Sequence, residues 1–137
     1  MNHRNTFQRE ITLKAVLELA NHPTADEVYN YLHERYRQVS RTTVYRNLNK
    51  LCESHDLARV KMFGSADRFD HELGHHYHFI CNECGQLCDL DIPYLESIND
   101  MCHNLGGRHV NAHQILFDGV CKECLDKAKK KQEEENA

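Results

Sequence analysis

Leu13, Val16, Leu17 and Ala20 recur at i, i+3, i+4 and i+7, the spacing that lines up four apolar side chains along one face of a helix. The helix is expected to end at Asn21-His22-Pro23, because proline disfavours helical geometry in the residue before it. Thr24-Ala25-Asp26-Glu27 fits a capping box, in which the threonine hydroxyl and the glutamate each satisfy a backbone amide at the start of a helix. Ala25, Val28, Tyr29 and Leu32 repeat the helical spacing, which predicts a second helix to about Tyr36. Ser40 can cap a third, with Val44, Leu48, Leu51 and Cys52 facing inward. Three short helices with a tight turn before the last form the helix-turn-helix pattern. Ala58, Val60 and Met62 then alternate with Arg59 and Lys61, Gly64-Ser65-Ala66-Asp67 supplies a turn, and Arg68-Phe69-Asp70 begins a return strand. A hairpin at this place has the position of a wing.

Beyond residue 70 the pattern changes. Ile92-Pro93 opens a further helix with proline at its first position. Leu95, Ile98, Cys102 and Leu105 share a face, and Gly106-Gly107 stops it. Arg108 to Val120 reads as a strand, and Lys127 to Ala137 as a charged helical tail. The fold class expected is α+β: a winged helix-turn-helix over residues 1–70 and a small α/β half over 71–137. That second half has a modest core of its own and would gain stability by pairing with a second copy.

Charge divides the chain in the same way. The net charge of −4 conceals ten basic and seven acidic residues through Ala66, against seven and fourteen from Asp67 onward, or +3 and −7. A basic half joined to an acidic one suits contact with nucleic acid through the first half only. On the third helix Ser40, Arg41, Thr42, Thr43, Tyr45, Arg46, Asn49 and Lys50 occupy the outward positions with no acid among them, and Arg59 and Lys61 form the basic side of the hairpin. Such groups reach phosphates and base edges, whereas an ordinary solvated face would mix signs.

The chemistry of the second half centres on metal. Cys81-Asn82-Glu83-Cys84 and Cys121-Lys122-Glu123-Cys124 are two C-x-x-C pairs that together complete a tetrahedral, closed Zn(II) site. Redox dithiols compete for the same pattern. Cys52 and Cys102 fall on apolar helix faces and read as core fillers, while Cys88 and His71 have no assigned role. In the histidine-rich run Asp70 to His78, His76 and His78 alternate and point the same way on a strand, and Asp89 belongs to the strand expected beside it. These offer nitrogen and oxygen rather than sulfur, a set suited to Fe(II), Mn(II) or Zn(II), unless the histidines only decorate a polar surface strand.

No apolar run is long enough to span a bilayer, and Met1 to Gln8 lacks the apolar core of a secretory leader, so the expected address is the cytoplasm with no membrane partner. Cysteines in that compartment favour metal over disulfides. A zinc hydrolase or deaminase would need an open zinc beside a glutamate base; the four-cysteine site is closed, and the reading is of a protein that is not an enzyme. A zinc-stapled interaction module remains a further class, opposed by the acid-free third helix.

The order His22-Pro23-Thr24-Ala25, Ser40-x-x-Thr43-Val44-Tyr45-Arg46-Asn47-Leu48, Arg68-Phe69-Asp70, His76-Tyr77-His78-x-x-Cys81-x-x-Cys84-Gly85, Asp89 and Gly119-Val120-Cys121-x-x-Cys124 resembles the ferric uptake regulator family, nearest its peroxide-sensing repressor branch, over about residues 4 to 125. The resemblance implies a homodimeric repressor on a palindromic double-stranded DNA operator. It implies structural zinc on Cys81, Cys84, Cys121 and Cys124, and regulatory Fe(II) or Mn(II) on His22, Asp70, His76, His78 and Asp89. In the peroxide branch iron directs oxygen onto a ligating histidine, here His22 or His76. Asp89 fits that branch, the iron-sensing one usually having glutamate there. Sensing of iron, manganese or zinc supply is the alternative within the family. Departures are visible: five residues precede Thr6 where relatives carry an extra helix, and His55 stands where they often have glycine. Some relatives hold a third metal, for which His75 and His113 would be the histidines, with Tyr77 replacing an acidic ligand.

Overall fold

The computed structural model describes residues 3–102 and 106–136. The chain folds into two compact units, Met1–Gly74 and His75–Ala137.

The first unit packs α1 (His3–Leu19), α2 (Ala25–Arg35) and α3 (Arg41–Glu53) around one core, followed by the antiparallel hairpin β1 (Ala58–Val60) and β2 (Arg68–Asp70). Val28, Leu32, Val44, Leu48 and Leu51 fill the core as the periodicity requires, and Val39, Leu57 and Phe69 join them from the connecting segments and β2. The Thr24 capping box is complete, with the Thr24 hydroxyl accepting from Glu27 N–H and the Glu27 carboxylate accepting in return. Cys52 packs against this core, and burial pushes its thiol up.

The face of α1 differs from expectation. Ile11, Thr12, Ala15 and Val16 are buried, while Leu17 is 48% exposed and Ala20 lies outside the helix. Thr12 enters the core because its hydroxyl donates to the Gln8 carbonyl at 2.7 Å, one turn back, which leaves no unsatisfied polar atom. A polar residue with a local partner thus displaced an apolar one from the stripe. The hairpin is also shorter than expected: β1 ends at Val60, so Lys61 and Met62 belong to the loop.

α3 ends in a left-handed residue. His55 has φ 62°, and the amides of Asp56 and Leu57 both donate to the Leu51 carbonyl, at 2.9 and 3.1 Å. This conformation costs a non-glycine residue about 1–2 kcal/mol, against the ~0.5–1 kcal/mol of extra chain entropy that glycine loses. His55→Gly should therefore raise stability by up to about 1 kcal/mol, read as a higher urea midpoint with an unchanged slope.

The second unit is a three-stranded sheet with order β4-β3-β5. β3 (Tyr77–Cys81) runs antiparallel to β4 (Leu87–Leu90) and parallel to β5 (Leu116–Gly119). α4 (Ser97–Asp100) lies between β4 and β5, and α5 (Lys122–Glu135) closes the chain with no buried residue. The helix expected from Ile92 is reduced to the four residues of α4, and Leu105 lies outside the described residues. None of the α4 residues is buried, Leu95 is 51% exposed and Met101 83% exposed; helices this short depend on packing for stability, and this stripe gets little within the unit. Cys102 follows α4, half-buried, with its thiol 3.5 Å from the Ile98 carbonyl, and is not a core filler. The strand expected over Arg108 to Val120 contracts to Leu116–Gly119, because Leu116 pairs with His78 and earlier residues would run past the start of β3.

Candidate metal centres and nucleic-acid face

The four-cysteine cluster is built from both ends of the second unit. Cys81 ends β3 beside Gly119 of β5, and the Asn82 amide donates to the Gly119 carbonyl at 2.7 Å. A side chain at residue 119 would press on the Phe79 ring, which a Cβ would approach to 3.2 Å. Gly85 takes φ 76°, turning the chain after Cys84. Cys121 occupies the N-cap position of α5 and Cys124 sits in its first turn. The Sγ atoms of Cys81 and Cys124 are 3.8 Å apart, and those of Cys84 and Cys121 3.9 Å. A tetrahedral ion with sulfur at about 2.3 Å sets its ligands about 3.75 Å apart, so the cluster has the dimensions of a Zn(II) site.

The thiols are polarised for that role. Amide donation from Cys84 at 3.4 Å and Cys121 at 3.3 Å holds the Cys81 thiol down to about 6. The neighbouring Cys121 thiol, then burial, push Cys124 up to about 12. One thiolate forms readily and its neighbours resist a second negative charge, an arrangement that a divalent cation resolves with release of protons.

Two groups of nitrogen and oxygen donors stand apart from the sulfur. In the first unit, Ala20, Asn21 and His22 take left-handed φ values of 51°, 54° and 57° in succession. The chain then runs beside β2: the Phe69 amide donates to the Pro23 carbonyl at 2.9 Å, and Thr24 bridges to Arg68. This turn brings His22 Nε2 to 3.1 Å from Asp70 Oδ2, with Asp70 only 4% exposed. Three strained non-glycine residues in a row, each costing about 1–2 kcal/mol, mark a segment held for position.

In the second unit, His78 lies directly across from Asp89 in the β3–β4 register. His76 precedes the strand by one residue and shares the His78 face, as period two requires. Asp89 Oδ1 lies 3.0 Å from His76 Nε2 and 3.2 Å from His78 Nε2, and the two rings are 4.4 Å apart. Octahedral bonds of about 2.1–2.2 Å at right angles put neighbouring donors about 3.0 Å apart, so both groups fit a first-row divalent ion.

Residues 1–117 match the model of the Ferric uptake regulator family. The chain belongs to that family. It is 35% identical over 124 residues to the peroxide-responsive repressor PerR of Staphylococcus aureus strain USA300, covering 90% of this chain and 84% of that protein. The Campylobacter jejuni peroxide stress regulator aligns with a TM-score of 0.68 at 28% identity, over 88% of this chain and 91% of that one. The Helicobacter pylori ferric uptake regulator, described with three functional metal-binding sites, shares the fold with a TM-score of 0.71 at 23% identity, over 91% of this chain and 82% of that one.

In this member of the ferric uptake regulator family, Arg41, Thr42, Tyr45, Arg46, Asn49 and Lys50 are exposed on α3. Ser40 and Thr43 are engaged in the N-cap: Ser40 Oγ accepts from the Thr43 amide at 3.1 Å and donates to its hydroxyl at 2.8 Å. Asp26, in the first turn of α2, holds both Arg41 and the Tyr45 hydroxyl, a role that no sequence pattern marks. Arg59 bonds Asn49, lies 3.5 Å from Asp67 and covers the Phe69 ring. Lys61 is exposed on the hairpin loop. No helix among the described residues is long and apolar enough to cross a membrane.

Contrary to the expectation of no enzyme motif, His71-Glu72-Leu73-Gly74-His75 spells H-E-x-x-H, the motif of zinc hydrolases. That motif works only on a helix, which places both histidines on one face. Residues 71–76 are not helical, His71 lies 3.8 Å from Asp70 Oδ1, and His75 stacks on Tyr94. His113 is no open ligand either, since both its ring nitrogens are hydrogen-bonded.

Proposed function

We propose that this chain is a metal-dependent transcriptional repressor that senses hydrogen peroxide, with Zn(II) on Cys81, Cys84, Cys121 and Cys124 and with Fe(II) or Mn(II) on His22, Asp70, His76, His78 and Asp89. The observation that carries this reading is the donor set of the second unit: two histidines and one carboxylate, all nitrogen and oxygen, at the spacing of one ion. Such a set leaves coordination positions open, the arrangement associated with Fe(II) and oxygen chemistry. His22 and Asp70 supply a matching pair from the first unit.

In this reading residues 1–70 form the winged helix and residues 71–137 the dimerising half. A homodimer then presents two copies of α3 to successive major grooves of a palindromic operator. Arg41, Thr42, Tyr45, Arg46, Asn49 and Lys50 face the DNA with Ser40 and Thr43 at the helix start, and Arg59 and Lys61 follow the phosphates. An ion that takes donors from both halves is satisfied in only one of their arrangements, and binding it selects that arrangement.

Fe(II) held by these residues would supply the redox chemistry that lets peroxide oxidise a ligand side chain, chemistry that Mn(II) would supply poorly. In the net reaction the ring of His22 or His76 would be the two-electron reductant: one C–H would become C–OH as the peroxide O–O bond breaks, and the second peroxide oxygen would leave as water. The oxidised ring is a poorer ligand, the selected arrangement is lost, and so is the DNA. The test is a peptide mass map of the full chain after anaerobic Fe(II) loading and brief peroxide exposure, beside a Mn(II)-loaded control. One added oxygen on the His22 or His76 peptide, with iron only, is the expected result. Unmodified histidines with iron bound would move the signal to metal supply.

A further inference from the structure

Residues on the other face of β3 form a network that the metal sites do not use. Tyr77 lies between His76 and His78, points away from them by strand alternation, and is only 2% exposed. Its hydroxyl is 2.7 Å from His113 Nε2 and accepts from the Leu95 amide at 3.0 Å. His113 Nδ1 is 2.7 Å from Asn99 Oδ1. The Asn99 amide nitrogen donates to the Tyr94 hydroxyl at 3.4 Å, and that hydroxyl also accepts from the His113 amide at 3.1 Å. Tyr94 is stacked between rings, with His113 at 4.3 Å and His75 at 4.8 Å.

The roles of donor and acceptor follow from these contacts. With the Asn99 nitrogen committed to Tyr94, its oxygen faces His113, so Nδ1 carries the ring proton. Nε2 then accepts from the Tyr77 O–H. The lone pair a metal would need is occupied, and the position opposite it is a phenol rather than a carboxylate. A histidine-rich cluster here is hydrogen-bonded, not metal-binding.

We propose that Tyr77, His113, Asn99 and Tyr94 form a metal-free brace that orients His76 and His78 as ligands. The proposal rests on the regulatory-site reading above. The brace acts through the strand: His75 and Tyr77 are gripped on one face, and His76 and His78, which alternate with them, are thereby aimed at Asp89 on the other. Partners outside the ligand shell set ligand orientation and typically change metal affinity by about 10–100-fold. Segments 94–99 and 113 are tied to the strand by the same bonds, without a third ion.

The test is Mn(II) affinity by calorimetry on the zinc-loaded full chain, with zinc content and circular dichroism recorded for each variant. Tyr77→Phe keeps the ring and the packing but loses the hydroxyl; its Mn(II) affinity should fall about tenfold with one zinc per chain retained. His113→Ala should fall by as much, and His113→Gln, which keeps an acceptor near the Nε2 position, should recover most of the loss. If His113→Ala fails to fold, Tyr77→Phe decides alone. A lower melting temperature for Tyr77→Phe with Mn(II) affinity within twofold of wild type would reduce the network to ordinary packing and overturn the brace. So would a further metal equivalent in the wild type that His113→Ala removes. A wild-type chain that takes up neither Mn(II) nor Fe(II) overturns the regulatory-site reading itself, a different failure from normal uptake with unaffected variants.

Discussion

Cys121→Ser is expected to lose the structural zinc and, with it, the fold of the second unit. Few side chains hold that unit together from within: Tyr77, His78, Cys81 and Leu87 are its buried residues among those described. α5 buries nothing, and its link to the sheet runs through Cys121 and Cys124 meeting Cys81 and Cys84. A structural zinc contributes on the order of 10 kcal/mol to small domains that bind it, comparable to the whole stability of an ordinary domain. A serine hydroxyl cannot replace a thiolate, so the variant should contain well under one zinc per chain and show no cooperative melting of the sheet. The first unit has its own core and should keep its helical signal. A zinc-loaded, cooperatively folded Cys121→Ser protein would refute the structural role. Acid should act in the same direction as the mutation. The ligands must be deprotonated to bind, Cys81 is already held down to about 6 and Cys124 resists ionising until about 12, so zinc affinity falls as pH falls and more protons must leave on binding.

The elements that could be read from the sequence are those whose signal is local. The capping box at Thr24, the stripe of Val28 and Leu32 and the Ser40 cap each depend on residues within one or two turns, and each is found. The cysteine pairs carry their ligand spacing within four residues. Contacts made across the chain were not legible. One local bond is equally hidden: Thr12 counts as polar until its hydroxyl is seen to donate to the Gln8 carbonyl one turn back, which is why the buried face of α1 differs from the apolar stripe. The length of β5 is set by where β3 begins, which no pattern in residues 108–115 records. Asp26 neutralises part of a helix that looks acid-free, because the acid comes from α2. The family resemblance offers His113 as a ligand of a third metal; only its partners Tyr77 and Asn99 show that both its nitrogens are taken. The same limit applies to H-E-x-x-H at residues 71–75: the letters match, but these residues are not helical.

His22→Ala and His76→Ala are both expected to abolish metal-dependent DNA binding, and for different reasons. His76 belongs to the donor set that the second unit assembles by itself, 3.0 Å from Asp89. Removing it leaves His78 and Asp89 there, and Mn(II) affinity should fall by at least about 100-fold, more than the loss of an outer partner would cause. His22 lies in the first unit beside Asp70. Its removal leaves His76, His78 and Asp89 complete, so measurable Mn(II) uptake should survive while the coupling to DNA does not. A ligand shifts an equilibrium only by its difference in affinity for the two states; without His22 an ion gains less from the arrangement that brings the first unit's donors to it. Both variants should keep one zinc per chain, since neither residue is among the four cysteines. Fluorescence anisotropy of a labelled operator duplex, with and without Mn(II), reads the coupling, and calorimetry reads the uptake. Metal-dependent DNA binding retained in both variants would sink the assignment of the regulatory site. Loss of uptake in His22→Ala as complete as in His76→Ala would mean instead that the second unit's three donors do not hold the ion without the first unit, and that the site is made only when both halves contribute.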